Sequence, residues 1–249
     1  MIRLIIALLL VGHCPSLVLA QPQTTPLVGA HSQWPPYVMK DGTGLTDELV
    51  GAVFADQGIE FNMQVAPFSR AIRMLEQTKI DLIPALWWTA QRAETILFSD
   101  PYFDNQLSVI TKNTLAINFT GADSLQHLTI STIRGYGYHD FLQTIKGLTV
   151  VQLNDLHACL EQVQKGRVDV ALADSWAARY EIMQDSQLAE LTILQPVLIT
   201  RALHIGVHKS HPQAKQIISA FNRGLQNIRR SGEYAQISAR YEQTLAIPP

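Results

Sequence analysis

Thr89 and Arg92 stand three residues apart in "LWWTAQRAETILFSDPYF", where Thr89 reads as the opening residue of a helix and Arg92 as part of its first turn. The amino end of a helix dipole is positive, so a cation there is mildly unfavourable unless an anion compensates. Two kinds of anion would serve: a protein carboxylate in a structural salt bridge, or the carboxylate of a bound solute. Further along, "VDVALAD" ends at Asp174, at the carboxyl end of an apolar strand, where α/β proteins gather their ligands. That carboxylate can accept hydrogen bonds from the first turn of the helix "SWAARYEIM" as its N-cap, or from a ligand.

Other chemistries find no support in the spacing of residues. The eight histidines show no Glu-x-x-His, Cys-x-x-Cys is absent, and the one His-x-x-x-His, His204 to His208, falls in an extended stretch and not on a helix face, so no metal site is expected. "RGYGYHD" is not a Gly-x-Gly-x-x-Gly loop, and Gly-Lys-Ser/Thr and Gly-x-Ser-x-Gly do not occur. No nucleotide or other cofactor is therefore expected. A chain of 249 residues, 47% hydrophobic and 16% charged with net charge −2, is an ordinary globular composition. It is not basic enough for a general nucleic-acid binder.

The first twenty residues differ from the rest. Met1-Ile2-Arg3 is basic, Leu4 to Val11 is apolar, and "SLVLA" ends at Ala20 with Val18 two residues before it. This is the pattern of a secretory signal cleaved after Ala20, which predicts export. His13, Cys14 and Pro15 interrupt the apolar run before it could span a bilayer. Cleavage would leave Cys159 as the single cysteine, on the apolar side of a helix, a buried thiol with no internal disulfide.

Periodicity lays out the elements that must position Arg92 and Asp174. "TDELVGAVFADQG" is a helix with Thr46 as cap and Gly58 as stop, and residues 59–65 alternate as a half-buried strand. Ser69 starts a second helix, residues 80–86 form a buried strand, and Thr89 opens a third helix. The second half repeats the rhythm: strand 128–133, helix 138–146, strand 148–153, a helix capped by Asn154, and strand 167–174. Residues 108–112 and 191–199 read as extended stretches passing between two halves. A strand at 203–210 and a helical tail from Pro212 to Gln243, broken near Gly232, follow. This order predicts α/β layers.

"WPPYVMKDGTGLTDELV", "IDLIPALWWTAQR" and "FSDPYF", in that order, resemble the family 3 bacterial periplasmic solute-binding proteins. Weaker matches run through "GRVDVALAD" and "SGEYAQISARY". The resemblance implies a two-lobed type II periplasmic-binding-protein fold with two crossing segments and a mixed sheet in each lobe. Lobe 1 would take residues 21–106 plus 199–249, and lobe 2 residues 107–198. It also implies that Arg92 grips a ligand carboxylate, that Asp174 accepts an ammonium, and that Trp34 and Phe68 wall the pocket, although such aromatics also serve as core.

Several positions depart from that family pattern. The strand before Thr89, usually rich in Ser or Gly, reads Pro84, Ala85, Leu86, Trp87 and Trp88. The Gly-Ser-Thr loop of the second lobe becomes Gly135, Tyr136 and Gly137. His31 stands where cationic amino-acid binders often have an acid, which argues against lysine or arginine as ligand. Arg70 and Arg73 are further cations near the cleft, either solvated or touching ligand. The expected function is a monomeric binder of a small carboxylate-bearing solute, an amino acid or a derivative, that serves an ABC permease or membrane receptor. An enzyme resembling cyclohexadienyl dehydratase, with Asp174, Asp140 or His139 as general acid, is one alternative. A sensory module for a membrane signalling partner is the other.

Overall fold

A computed structural model describes residues 25–246, so the expected signal segment lies outside the described residues. Its elements are β1 (Leu27–His31), α1 (Leu45–Asp56), β2 (Phe61–Val65), α2 (Phe68–Glu76), β3 (Ile83–Trp87), α3 (Ala90–Thr95), β4 (Ile96–Phe98) and β5 (Phe103–Lys112). There follow β6 (Thr129–Ile133), α4 (His139–Leu142), β7 (Thr149–Leu153), α5 (Leu156–Gln164), β8 (Val170–Asp174) and α6 (Ser175–Gln184). The chain then returns through β9 (Leu191–Ile193), β10 (Ile199–His208), α7 (Ala214–Ser231) and α8 (Glu233–Ala246).

The long strands β5 and β10 tie two α/β lobes together. They pair antiparallel from Leu107 against Ile199 to Phe103 against Leu203. Beyond that stretch β10 pairs with β3 and β4, while β5 pairs with β8 and β9. The resulting mixed sheet has the order β3-β10-β5-β8-β6-β7, and β1 and β2 form a parallel pair joined to it through a Gly29–Leu82 bridge. The two strands pair with each other over residues 103–107 and 199–203. The stretches 108–112 and 191–193 lie instead in the second lobe's ladder, because the apolar run of β5 is buried against β8.

Two caps differ from the sequence expectation. Gly44, not Thr46, is the N-cap of α1, since its missing side chain lets the turn approach Tyr37: a Cβ there would sit 2.1 Å from the Tyr37 carbonyl oxygen. Asp155 rather than Asn154 caps α5, its carboxylate accepting the Ala158 N–H at 2.8 Å. α4 covers only 139–142 of the expected 138–146. Cys159 is fully buried on α5, and burial pushes its thiol up to about 12, so it is a core group and not a nucleophile.

"FSDPYF" acts as stitching for the strand that carries the site. The Ser99 hydroxyl accepts the Ile205 N–H at 3.1 Å, the Tyr102 N–H donates to the Leu203 carbonyl at 2.9 Å, and the Tyr102 hydroxyl donates to the Pro84 carbonyl at 3.0 Å. Pro84 is tolerated inside β3 because the ladder slips one residue between His204 and Gly206, which leaves Pro84 and Ala85 opposite Ile205. A bulge is where a missing N–H costs the sheet least. Trp87 then points inward at 9% exposure while Trp88 points out at 57%.

The first lobe is closed by α7 lying on α1, with Phe54 against Phe221 at 5.5 Å between ring centroids. Gly224 permits this approach, because a Cβ there would come within 2.2 Å of the Val53 carbonyl oxygen. Gly224→Ala should force the helices apart and destabilise the fold by about 1–3 kcal/mol despite alanine's better helix propensity. Urea denaturation is the check; an unchanged or higher midpoint would contradict the close packing.

Candidate functional site

Arg92 is held by its own helix and by both lobes. Thr89 caps the six-residue α3, its hydroxyl accepting the Arg92 backbone N–H at 3.2 Å, so that donor is not free for a ligand. The guanidinium donates through Nη1 to the Trp87 carbonyl at 3.0 Å and through Nη2 to the Gly135 carbonyl at 3.1 Å. Its carbon lies 5.7 Å from the centre of the Phe68 ring. Gly135 belongs to the loop after β6, so this bond spans the two lobes; its φ of +80° is a conformation natural to glycine. Among the described residues no carboxylate forms an ion pair with Arg92. Burial lowers its pKa to about 10, leaving it cationic at neutral pH with carbonyl dipoles and the Phe68 ring face, but no carboxylate, beside it.

Aromatic rings surround this cation in a nearly continuous chain. Tyr37 stacks on Trp34 at 4.1 Å, Trp34 on His31 at 5.5 Å, and His31 meets Phe68 edge-on at 5.0 Å. Phe68 meets Tyr136 at 5.2 Å, Tyr136 meets Tyr138 at 5.6 Å, and Tyr138 meets Trp87 at 5.3 Å. The "WPPY" turn makes the first of these contacts, since the Tyr37 N–H donates to the Trp34 carbonyl at 2.7 Å and so places both rings side by side. His31 donates or accepts at the Ser32 carbonyl through Nδ1 at 2.9 Å; as a carbonyl can only accept, Nδ1 carries the proton. Burial depresses the imidazole to about 4, so the ring is neutral.

Hydrogen bonds close the ring of contacts. Trp87 Nε1 donates to Asn105 Oδ1 at 2.9 Å, and Asn105 Nδ2 donates to Asp174 Oδ2 at 2.5 Å. The Tyr37 hydroxyl donates to the same Asp174 oxygen at 3.0 Å, while Oδ1 accepts the Ala177 N–H at 2.8 Å and so caps α6. Burial pushes the Asp174 carboxyl up to about 7, and the Ala177 N–H and Tyr37 hydroxyl hold it back from rising further.

Of the residues expected at the site, His31, Trp34, Phe68, Trp87, Arg92, Tyr136 and Gly137 line one cavity. It is small, about 30 Å³, which holds no more than a few waters. Ala85, Asn105, Tyr138 and Leu203 complete its wall. Gly137 packs on the guanidinium, where a Cβ would be 3.4 Å from Nη1. Arg92 also floors an outer groove beside Gln91, Gly135 and Gln152, so it forms the partition between that groove and the inner space. Asp174 lies behind Asn105 and Tyr37 and is not part of the cavity wall; Arg70 is exposed on α2, away from it. The side chains of His139 and Asp140 lie outside the described residues.

Asn105 and Tyr138 were not singled out from sequence, though both had a signal. Phe103, Asn105 and Leu107 share the inward face of β5, and Asn105 is the polar exception at 2% exposure. Tyr138 repeats Tyr136 two residues on and is the more deeply buried of the two.

The sequence model of bacterial extracellular solute-binding proteins, family 3, matches residues 27–244. The chain belongs to this family. Among curated relatives, an arginine-binding periplasmic protein of Mannheimia haemolytica is 24% identical over 86% of this chain and 90% of its own length. The lysine/arginine/ornithine-binding periplasmic protein of Escherichia coli is 27% identical over 89% of this chain and 88% of its own. Of solved structures, an ancestral arginine-binding protein bound to arginine superposes with a TM-score of 0.76 at 20% identity, covering 87% of this chain and 97% of that one. A histidine kinase sensor domain with similarity to periplasmic binding proteins superposes at 0.78 and 19% identity, covering 87% and 95%. These likenesses establish the two-lobed type II fold. Within this family 3 member, no group of three or more His, Cys, Asp or Glu side chains among the described residues is placed to hold a metal ion.

Asp174 and His31 give opposing pH dependences. The raised carboxyl contributes stability that is full below 3.8, its ordinary value, and is lost as pH rises to about 7. The depressed imidazole contributes stability that is full above 6.5 and is lost as pH falls to about 4. Between about 4 and 6.5 the two slopes oppose. Asp174→Asn removes the first, so its stability by urea denaturation should fall on acidification by roughly 1–3 kcal/mol more than that of the unaltered chain. Parallel curves for the two proteins would refute that assignment.

Proposed function

We propose that this protein is a periplasmic binder that captures a small carboxylate-bearing solute, an amino acid or a derivative, between its lobes and presents it to an ABC permease or membrane receptor. The observation that carries the reading is the half-buried Arg92 guanidinium, which has carbonyl partners and no carboxylate partner among the described residues. A solute carboxylate would supply the missing charge through a planar, charge-assisted pair. The curated relatives are named for binding arginine, lysine, ornithine or histidine. Here the cavity wall contains no Asp or Glu, and a neutral His31 offers a cationic side chain no anion.

The closing lobes are residues 21–106 with 199–249, and residues 107–198, with residues 1–20 removed on export. An amino-acid-sized solute exceeds the present cavity, so its capture requires the Arg92–Gly135 contact to part and re-form around it. The chain acts as a monomer, without metal or cofactor, and by binding rather than turnover. Asp174, the buried carboxyl a dehydratase-like acid would need, is engaged at both oxygens by Tyr37, Asn105 and the Ala177 N–H.

Arg92→Ala should weaken binding of the best carboxylate ligand by roughly 2–5 kcal/mol, as for truncating one partner of a buried charge pair. Arg92→Lys should recover only part of this, because an ammonium cannot reproduce the bidentate fork. Isothermal titration calorimetry is the measurement; equal affinities for the three proteins would exclude the role.

A further inference from the structure

We infer that the site selects carboxylates whose α-nitrogen is absent or uncharged, such as deaminated or N-acylated amino acids, over the parent zwitterions. This rests on the carboxylate-binding reading above and narrows it. An amino acid brings an anionic and a cationic group within a few bonds of each other. Arg92 answers the first, and the wall around it has nothing of opposite charge for the second: its other members are His31, aromatic rings, Ala85, Asn105, Gly137 and Leu203.

The one buried carboxylate nearby is screened from the cavity by its own partners. Asp174 Oδ2 takes the Tyr37 hydroxyl and the Asn105 amide, Oδ1 takes the Ala177 N–H, and the side chain is 4% exposed. Asn105 cannot offer its own oxygen freely, because that atom accepts the Trp87 indole N–H. Aromatic faces can hold an ammonium, but the Phe68 face is taken by the Arg92 guanidinium and Trp34, Trp87, Tyr136 and Tyr138 pack against neighbouring rings. A second cation in so small a space would also repel the first. His31 adds no compensating charge, since an imidazole is neutral or cationic and never an anion. An ammonium drawn into this cavity would therefore lose its water without gaining an anion, whereas a hydrogen, hydroxyl, oxo or amide group at the same carbon loses far less.

The test is calorimetry with matched pairs on three skeletons: alanine and propanoate, leucine and 4-methylpentanoate, phenylalanine and 3-phenylpropanoate, each also measured with Arg92→Ala. N-acetylphenylalanine joins the last pair. The expected result is that the acids without an ammonium bind about tenfold or more tightly than their zwitterions, and that Arg92→Ala abolishes the binding. Equal or tighter binding of the amino acids, lost in Arg92→Ala, would overturn the selectivity and leave the carboxylate reading standing. Binding that survives Arg92→Ala, or no binding in any pair, would overturn both.

Discussion

The charge of one guanidinium organises the centre of this molecule. Arg92 has given up part of its water, and two peptide carbonyls, one from each lobe, stand in its place. Carbonyl dipoles can orient a cation but cannot neutralise it, so the arrangement is stable enough to form and incomplete enough to accept an anion. Other features of the centre follow from that need. Phe68 lends its ring face, Gly137 lacks a side chain so that the loop can lie against the guanidinium, and Thr89 fixes the turn from which Arg92 projects.

Around that cation, the wall and the connecting strands are one structure. Asn105 lies on β5 in the middle of its pairing with β10, and its amide joins the Trp87 indole of the first lobe to the Asp174 carboxylate of the second. Asp174 in turn caps α6, so the orientation of a whole helix is tied to the face of a single indole. Charge buried in this manner tolerates little rearrangement by parts, since each partner lost leaves a polar atom dry. The lobes are accordingly expected to move as bodies about the β5–β10 pair, not by loosening of its neighbours.

Most of this was legible in the chain. The strand-helix alternation, the Thr89 cap and the break at Gly232 all follow from patterns that side-chain size and backbone freedom impose locally. What was missed required knowing which chain segments meet. That residues 108–112 join a ladder with β8 was not legible, because an extended apolar run reads the same whether it spans lobes or joins a ladder. Asp174 shows a similar limit: its place at a strand end marks it as a cap or a ligand group, and the choice turns on Tyr37, 137 positions away in sequence. Tyr138 and Asn105 gain their importance only when the second lobe folds over the first.

The aromatic chain gives the protein a built-in optical gauge. Of its four tryptophans, Trp34 and Trp87 are buried at the junction and Trp176 stacks on Tyr37 from the second lobe, whereas Trp88 faces solvent. Drawing the jaws apart would wet the first three indoles and leave the fourth as a steady background. Emission colour thus reports how far the molecule has opened, with no label attached.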